Sequence, residues 1–153
     1  MNGGNALSML QDVVAYKNAH KKVDQYWAVF DKDDTSDDVF VEAIQLAEAN
    51  GIRLAWSNQA FECWFIMHYR DLRHPCHRID YEAMLRQYIA WYNAGEKGED
   101  QGRELYRHTV PNIQDAIENA KNGFDSFEKE LPPSHKQSST KVYELVAAII
   151  ANS

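Results

Sequence analysis

Apolar runs and polar punctuation alternate along this chain, and their spacing predicts the elements. From Ala6 to His20, the residues Leu7, Leu10, Val13 or Val14 and Tyr16 recur at helical intervals, predicting a short helix. Tyr26 to Phe30 (YWAVF) is a brief β-branched and aromatic run that stops abruptly at Asp31-Lys32-Asp33-Asp34, the pattern of a buried strand with an acidic exit. Thr35, Ser36, Asp37 and Asp38 offer capping oxygens to a helix in which Val39, Phe40, Ala43, Ile44, Leu46 and Ala47 share a face until Asn50-Gly51 stops it. Ile52 to Trp56 (IRLAW) reads as a second strand. Because a helix separates the two runs, the expectation is a β-α-β unit with parallel strands and a right-handed crossover.

Ser57-Asn58 ends the second strand and can cap the next helix, which carries Phe61, Cys63, Trp64, Phe65, Ile66, Met67 and Tyr69 on nearly every face and should be buried. The stretch 71–78, with Pro75, reads as a loop, and 81–92 and 101–127 read as helices. A second loop, 131–139, contains Pro132-Pro133. Ser138-Ser139-Thr140 can then cap a last helix with Val142, Leu145, Val146, Ile149 and Ile150 turned inward. The fold class is α/β with a helical C-terminal half, and no internal repeat is visible. A length of 153 residues fits one domain, 1–153, with enough chain to bury a core unaided.

Composition narrows the function classes. No apolar run approaches the roughly 20 residues of a membrane-spanning helix. Met1 to Asn5 resembles neither a secretory leader nor a transit peptide, so a cytoplasmic location without membrane attachment is expected. Of the two cysteines, Cys63 falls in an aromatic run that looks buried, which fits reduced thiols better than a disulfide. A net charge of -7 argues against gripping nucleic acid by bulk attraction, since that affinity comes from lysines and arginines displacing counterions. A polyanionic partner would need a local basic patch or a bridging metal.

The acidic exit is the leading candidate for chemistry. Alternate side chains of an extended chain share a face, so Asp31 and Asp33 can point toward one ion while Lys32 points away. Magnesium prefers oxygen ligands and keeps several waters, so one or two carboxylates and a substrate phosphate suffice. Such an ion would polarise a phosphoryl oxygen and acidify a bound water. The bland alternative is a solvated loop whose carboxylates favour the following helix N-terminus. Position supports the sharper reading, because open α/β sheets place ligands beyond the carboxyl ends of their strands, where Ser57 and Asn58 also fall. Asn58 and Glu62 could orient a water, a carboxylate or a substrate hydroxyl, although on a buried helix Glu62 could equally be a paired structural carboxylate.

His68, His74, Cys76 and His77, with Cys63 nearby, raise zinc, but the HPCH spacing does not match common zinc sites. His68, at the end of an apolar helix, reads first as a hydrogen-bonded helix-end residue and second as a site candidate. Trp27, Trp56, Trp64 and Trp91 lie within the periodic apolar stretches and read as core rather than a base-stacking platform.

Taken together, YWAVFDKDD, the helix ending NGI, RLAWSNQAFECWFIMHY and the later SSTKVYELV resemble the RloB-like family of bacterial proteins, which includes the AbiLii abortive-infection type. The resemblance spans most of the chain. It implies a Toprim-like parallel β-sheet flanked by helices, and a nuclease using magnesium or manganese in phage defence. On that pattern Asp31 and Asp33 are metal ligands and, with Glu62, catalytic, while Asp34, Ser57, Asn58 and His68 assist or contact substrate. Family members usually open with a strand bearing EG-x-x-TE, whereas this chain opens MNGGNALSML, so it is expected to be N-terminally truncated relative to the family. Three expectations follow: a truncated or alternative-start product, a missing acid supplied by another chain, or a domain that binds without hydrolysing. An exposed sheet edge would invite a homo-oligomer. The competing class is a non-catalytic module that binds a partner protein of a defence complex. A phosphatase with a strand-end aspartate nucleophile is a third reading, weakened by the lack of a recognisable downstream lysine motif.

Overall fold

The computed structural model describes residues 6–20, 22–72, 74–95 and 98–152. The two predicted strands form, each displaced by one residue: β1 is Trp27–Asp31 and β2 is Arg53–Ser57. They pair in parallel, with Trp27 opposite Arg53, Val29 opposite Ala55 and Asp31 opposite Ser57. Between them runs α2 (Asp37–Ala49), and α1 (Ala6–Ala19) precedes β1. The protein is therefore α/β, mostly helical, with a small two-stranded parallel sheet. Two strands do not by themselves establish a Toprim-like architecture. Among the described residues, no helix is long and apolar enough to cross a membrane.

Strand alternation sorts the core into two layers. Leu54 and Trp56 of β2 and Ala28 of β1 join Leu10 of α1 and Phe40, Ala43 and Ala47 of α2 in one cluster. Phe40, fully buried, meets Phe30 and Trp56 edge to face at ring separations of 5.9 and 5.5 Å. On the opposite face, Ala55 belongs to a cluster with residues of α3 (Glu62–Met67), α4 (Arg78–Arg86), α6 (Ile113–Asp125) and α7 (Val142–Ala151). The helix predicted to be apolar all round is α3, and its Cys63, Trp64, Ile66 and Met67 are buried.

The turn between α2 and β2 fixes where the second strand starts. Gly51 N–H donates to Glu48 O at 3.1 Å and Ile52 N–H to Ala47 O at 2.9 Å, the paired bonds of a Schellman motif, with Gly51 at φ 61°. A Cβ there would meet only Lys17 Nζ, at 3.2 Å, the far end of a long side chain that can shift, so the backbone angle sets most of the cost of substitution. Gly51→Ala is expected to lower stability by about 1 kcal/mol. Urea unfolding monitored by tryptophan fluorescence checks this, and an unchanged midpoint would contradict it.

Several helix limits differ from the sequence reading. The 81–92 helix begins earlier, at Arg78, where the His77 ring accepts a weak bond from Ile79 N–H at 3.4 Å, and gives way to turns after Arg86. The expected 101–127 helix is broken into α5 (Glu99–Thr109) and α6 by a 3₁₀ turn at Val110–Asn112, because Pro111 lacks the amide hydrogen needed to continue the ladder. Asn58 does not cap α3, since its side chain is engaged elsewhere. In α7 only Val142 is buried, while Ile149 and Ile150 are 56% and 47% exposed, contrary to the inward face expected of them. The helix contacts β2 and α6, and its last turn runs past that packing into an open apolar groove with Phe65 and Tyr106.

Candidate active site at the end of the parallel pair

The segments leaving the two strands stay joined past the sheet. Lys32 N–H donates to Ser57 O at 2.9 Å and Asp33 N–H to Gln59 O at 3.0 Å. Both segments then turn through the left-handed region, Asp33 at φ 45° and Gln59 at φ 80°. Aspartate tolerates that region better than most residues, but glutamine there stores strain on the order of 1–3 kcal/mol. The extended geometry that would have set Asp31 and Asp33 on one face thus ends at Asp31.

Asp31 is the most perturbed carboxylate of the cleft. Its Oδ1 is buried with no hydrogen-bond partner, although Phe61 N–H reaches the carboxylate. Burial pushes its pKa up from 3.8 to about 7; the Phe61 bond opposes this, and the neighbouring charges of Asp33 and Glu62 add to it. Glu62, first residue of α3, accepts a hydrogen bond from the Tyr92 hydroxyl at 2.9 Å. Burial raises the Tyr92 phenol above its ordinary range, so it stays a donor at neutral pH. Asp31, Asp33, Glu62 and Glu82 line one open cleft of about 490 Å³.

Arg78, at the start of α4, crosses the mouth of that cleft. Its Nη1 lies 2.6 Å from Asp33 Oδ1 and its Nη2 2.6 Å from Asp34 Oδ2. Asp34 is otherwise open to solvent. The outer side of the acidic loop is held separately: Lys32 Nζ pairs with Asp37 at 3.0 Å, and His135 Nε2 lies 3.0 Å from the same carboxylate. These partners hold the Asp37 carboxyl below its usual range, Lys32 chiefly.

Does the cleft suit magnesium? Among the described residues, no group of three or more His, Cys, Asp and Glu side chains is arranged to hold a metal. The fit rests instead on two carboxylates, Asp31 with its buried orphan oxygen and Glu62 beside it, a number magnesium accepts because it retains water ligands.

The family model described as RloB-like protein matches residues 1–149. The chain belongs to the RloB-like family. No curated protein and no solved structure matches it.

Two stretches by which this RloB-like chain resembles the family turn out to be one structural unit. Ser57 and Asn58 are fully buried. Asn58 N–H donates to Ser139 O at 2.8 Å, and its side-chain amide donates to Pro133 O and Ser134 O, each at 2.9 Å. Ser57 forms an antiparallel bridge with Thr140, and their hydroxyls lie 3.0 Å apart. The SN and SST segments therefore hold each other, and neither Ser57 nor Asn58 lines the acidic cleft. His68 lies past the other end of α3. It is buried, its Nδ1 lies 3.0 Å from Trp64 O, and burial lowers its pKa. It borders the apolar groove beneath α7 rather than the acids.

The structure thus gathers Asp31, Asp33 and Glu62, sets Asp34 at the rim, and leaves Ser57, Asn58 and His68 apart. Arg78 and Glu82 of the cleft, and Tyr92 behind Glu62, escaped the sequence reading. Arg78 closed a stretch read as loop and Tyr92 ended a stretch read as helix. None of these positions carries a motif, and only tertiary contact reveals them.

Proposed function

We propose that this RloB-like chain is a metal-dependent nuclease of bacterial phage defence, built on a Toprim-like arrangement, with its site at the carboxyl end of β1. The observation that carries this reading is Asp31: a half-buried carboxylate, ending a parallel strand, with an unpartnered oxygen and Glu62 alongside. Burial penalises the charged form of Asp31, and a bound cation would offset that penalty, which is what supports a functional site here. Asp31 and Glu62 would hold Mg²⁺ or Mn²⁺, which when bound supplies a polarised phosphoryl oxygen and an acidified water. Phe61 N–H orients Asp31, and the Tyr92 hydroxyl orients Glu62. Asp33 lies within reach as a further acid.

The test is purified protein with supercoiled DNA and with tRNA, in Mg²⁺, Mn²⁺ or EDTA, beside Asp31→Ala. Metal-dependent cleavage of one substrate by the wild type alone is the expected outcome. Identical behaviour of wild type and variant in every condition would remove this reading. A second reading, a module that binds a partner protein or a second copy, is favoured by the exposed Ile149 and Ile150 beside the α7 groove and by exposed Val29 in β1. It gains ground if neither nucleic acid is cut.

A further inference from the structure

We propose that Arg78 is the phosphate-binding residue of the cleft, and that its contact with Asp33 and Asp34 is a latch released by the metal. This rests on the metal reading above and adds an order of events to it. Among the described residues, the cleft sets four carboxylates, Asp31, Asp33, Glu62 and Glu82, against one guanidinium, that of Arg78. Without a cation such a surface repels a phosphodiester, and the net charge of -7 gives no help from a distance. That guanidinium is already occupied. Both terminal nitrogens of Arg78 are committed to carboxylates at 2.6 Å, the forked geometry that a phosphate would otherwise take.

Asp33 is the hinge of the arrangement. It borders the same cleft as Asp31, while its Oδ1 is held by Arg78 at 2.6 Å. Asp31 and Glu62 would hold a divalent cation, whose charge would draw the Asp33 carboxylate away from Arg78. Arg78 would then keep only Asp34, the most exposed acid of the set. Its guanidinium, part exposed at the rim, would be free to take a phosphate. Metal binds first, nucleic acid second.

This order predicts opposite signs for the two ligands when Arg78 is removed. Calorimetry with Mg²⁺ alone, and fluorescence anisotropy with a short labelled single-stranded DNA and the RNA of the same sequence, read them separately. In Ca²⁺, substituted to limit cleavage, wild type should bind the oligonucleotide about tenfold tighter than in EDTA, and Arg78→Gln should lose most of that gain. Mg²⁺ binding by Arg78→Gln should tighten about threefold, because a positive neighbour has left a negative site. Asp34→Asn loosens the latch from the other side and should raise metal-free oligonucleotide affinity by about twofold. Wild type that binds no Mg²⁺ would overturn the metal reading and the latch with it. Wild type that binds Mg²⁺, with Arg78→Gln changing neither affinity or weakening both, would overturn the latch alone. Circular dichroism of each variant separates these results from misfolding.

Discussion

Asp31→Asn should make the protein more stable at pH 8, by about 2–3 kcal/mol, while abolishing its response to magnesium. The carboxyl of Asp31 titrates at about 7 in the fold against 3.8 ordinarily. Below pH 3.8 it is protonated whether the chain is folded or not, and it costs nothing. Between 3.8 and about 7 the unfolded chain ionises and the folded one does not, so stability falls as pH rises. Above about 7 the full cost is present. The shift converts to about 4 kcal/mol at most, and solvent in the open cleft reduces it, hence the smaller figure. Asparagine keeps an acceptor for Phe61 N–H and removes the charge facing Asp33 and Glu62. Urea denaturation of both proteins at pH 4.5, 6, 7 and 8.5 should give a gap that widens with pH and levels off above neutrality. Magnesium should raise the melting temperature of the wild type and leave Asp31→Asn unmoved, since only a ligand of the folded state shifts it. A variant less stable than wild type at pH 8 would mean that the buried carboxylate is structural and that the case for a functional site there is lost.

How far could such a site be read from the chain? The β1-α2-β2 unit was legible because each run declares itself locally: YWAVF and IRLAW are too short and too β-branched or aromatic for helices, and Asn50-Gly51 is a helix stop with a specific backbone angle. Asp31 at a strand end was legible for the same reason. What the spacing could not give was the direction of the next acid. Asp33 follows a turn whose hydrogen bond to Gln59 belongs to the other strand, and Arg78, 45 residues away, decides where its carboxylate points. Pro111 lies inside the 101–127 stretch, where the helical periodicity on either side masks the break that its missing amide hydrogen causes. The exposed end of α7 is different in kind, because an apolar face does not reveal from its own sequence whether anything packs on it.

The roles of Ser57 and Thr140 show the same limit from the other direction, and they carry the largest stability loss expected here. Thr140 is fully buried and its hydroxyl serves three groups: it accepts from Val142 N–H at 3.1 Å at the start of α7, lies 3.2 Å from Trp56 O and 3.0 Å from Ser57 Oγ. Trp56 O also receives Lys141 N–H at 2.7 Å and can spare the hydroxyl. Val142 N–H is less well supplied, and the Ser57 hydroxyl would keep only the Cys63 thiol. Thr140→Val keeps the volume and deletes the oxygen, leaving an amide at a helix N-terminus and a buried hydroxyl short of partners, at a cost of about 3 kcal/mol. Ser57→Ala removes only one polar atom with its partner still served, and should cost about 1 kcal/mol. Because the two hydroxyls meet, the double variant should be more stable than the sum of the single losses predicts, by about 1 kcal/mol. Guanidinium unfolding of the four proteins closes that cycle. Strict additivity would mean that the bond between the two buried hydroxyls contributes nothing to stability, and that the Thr140→Val loss comes from Val142 N–H alone.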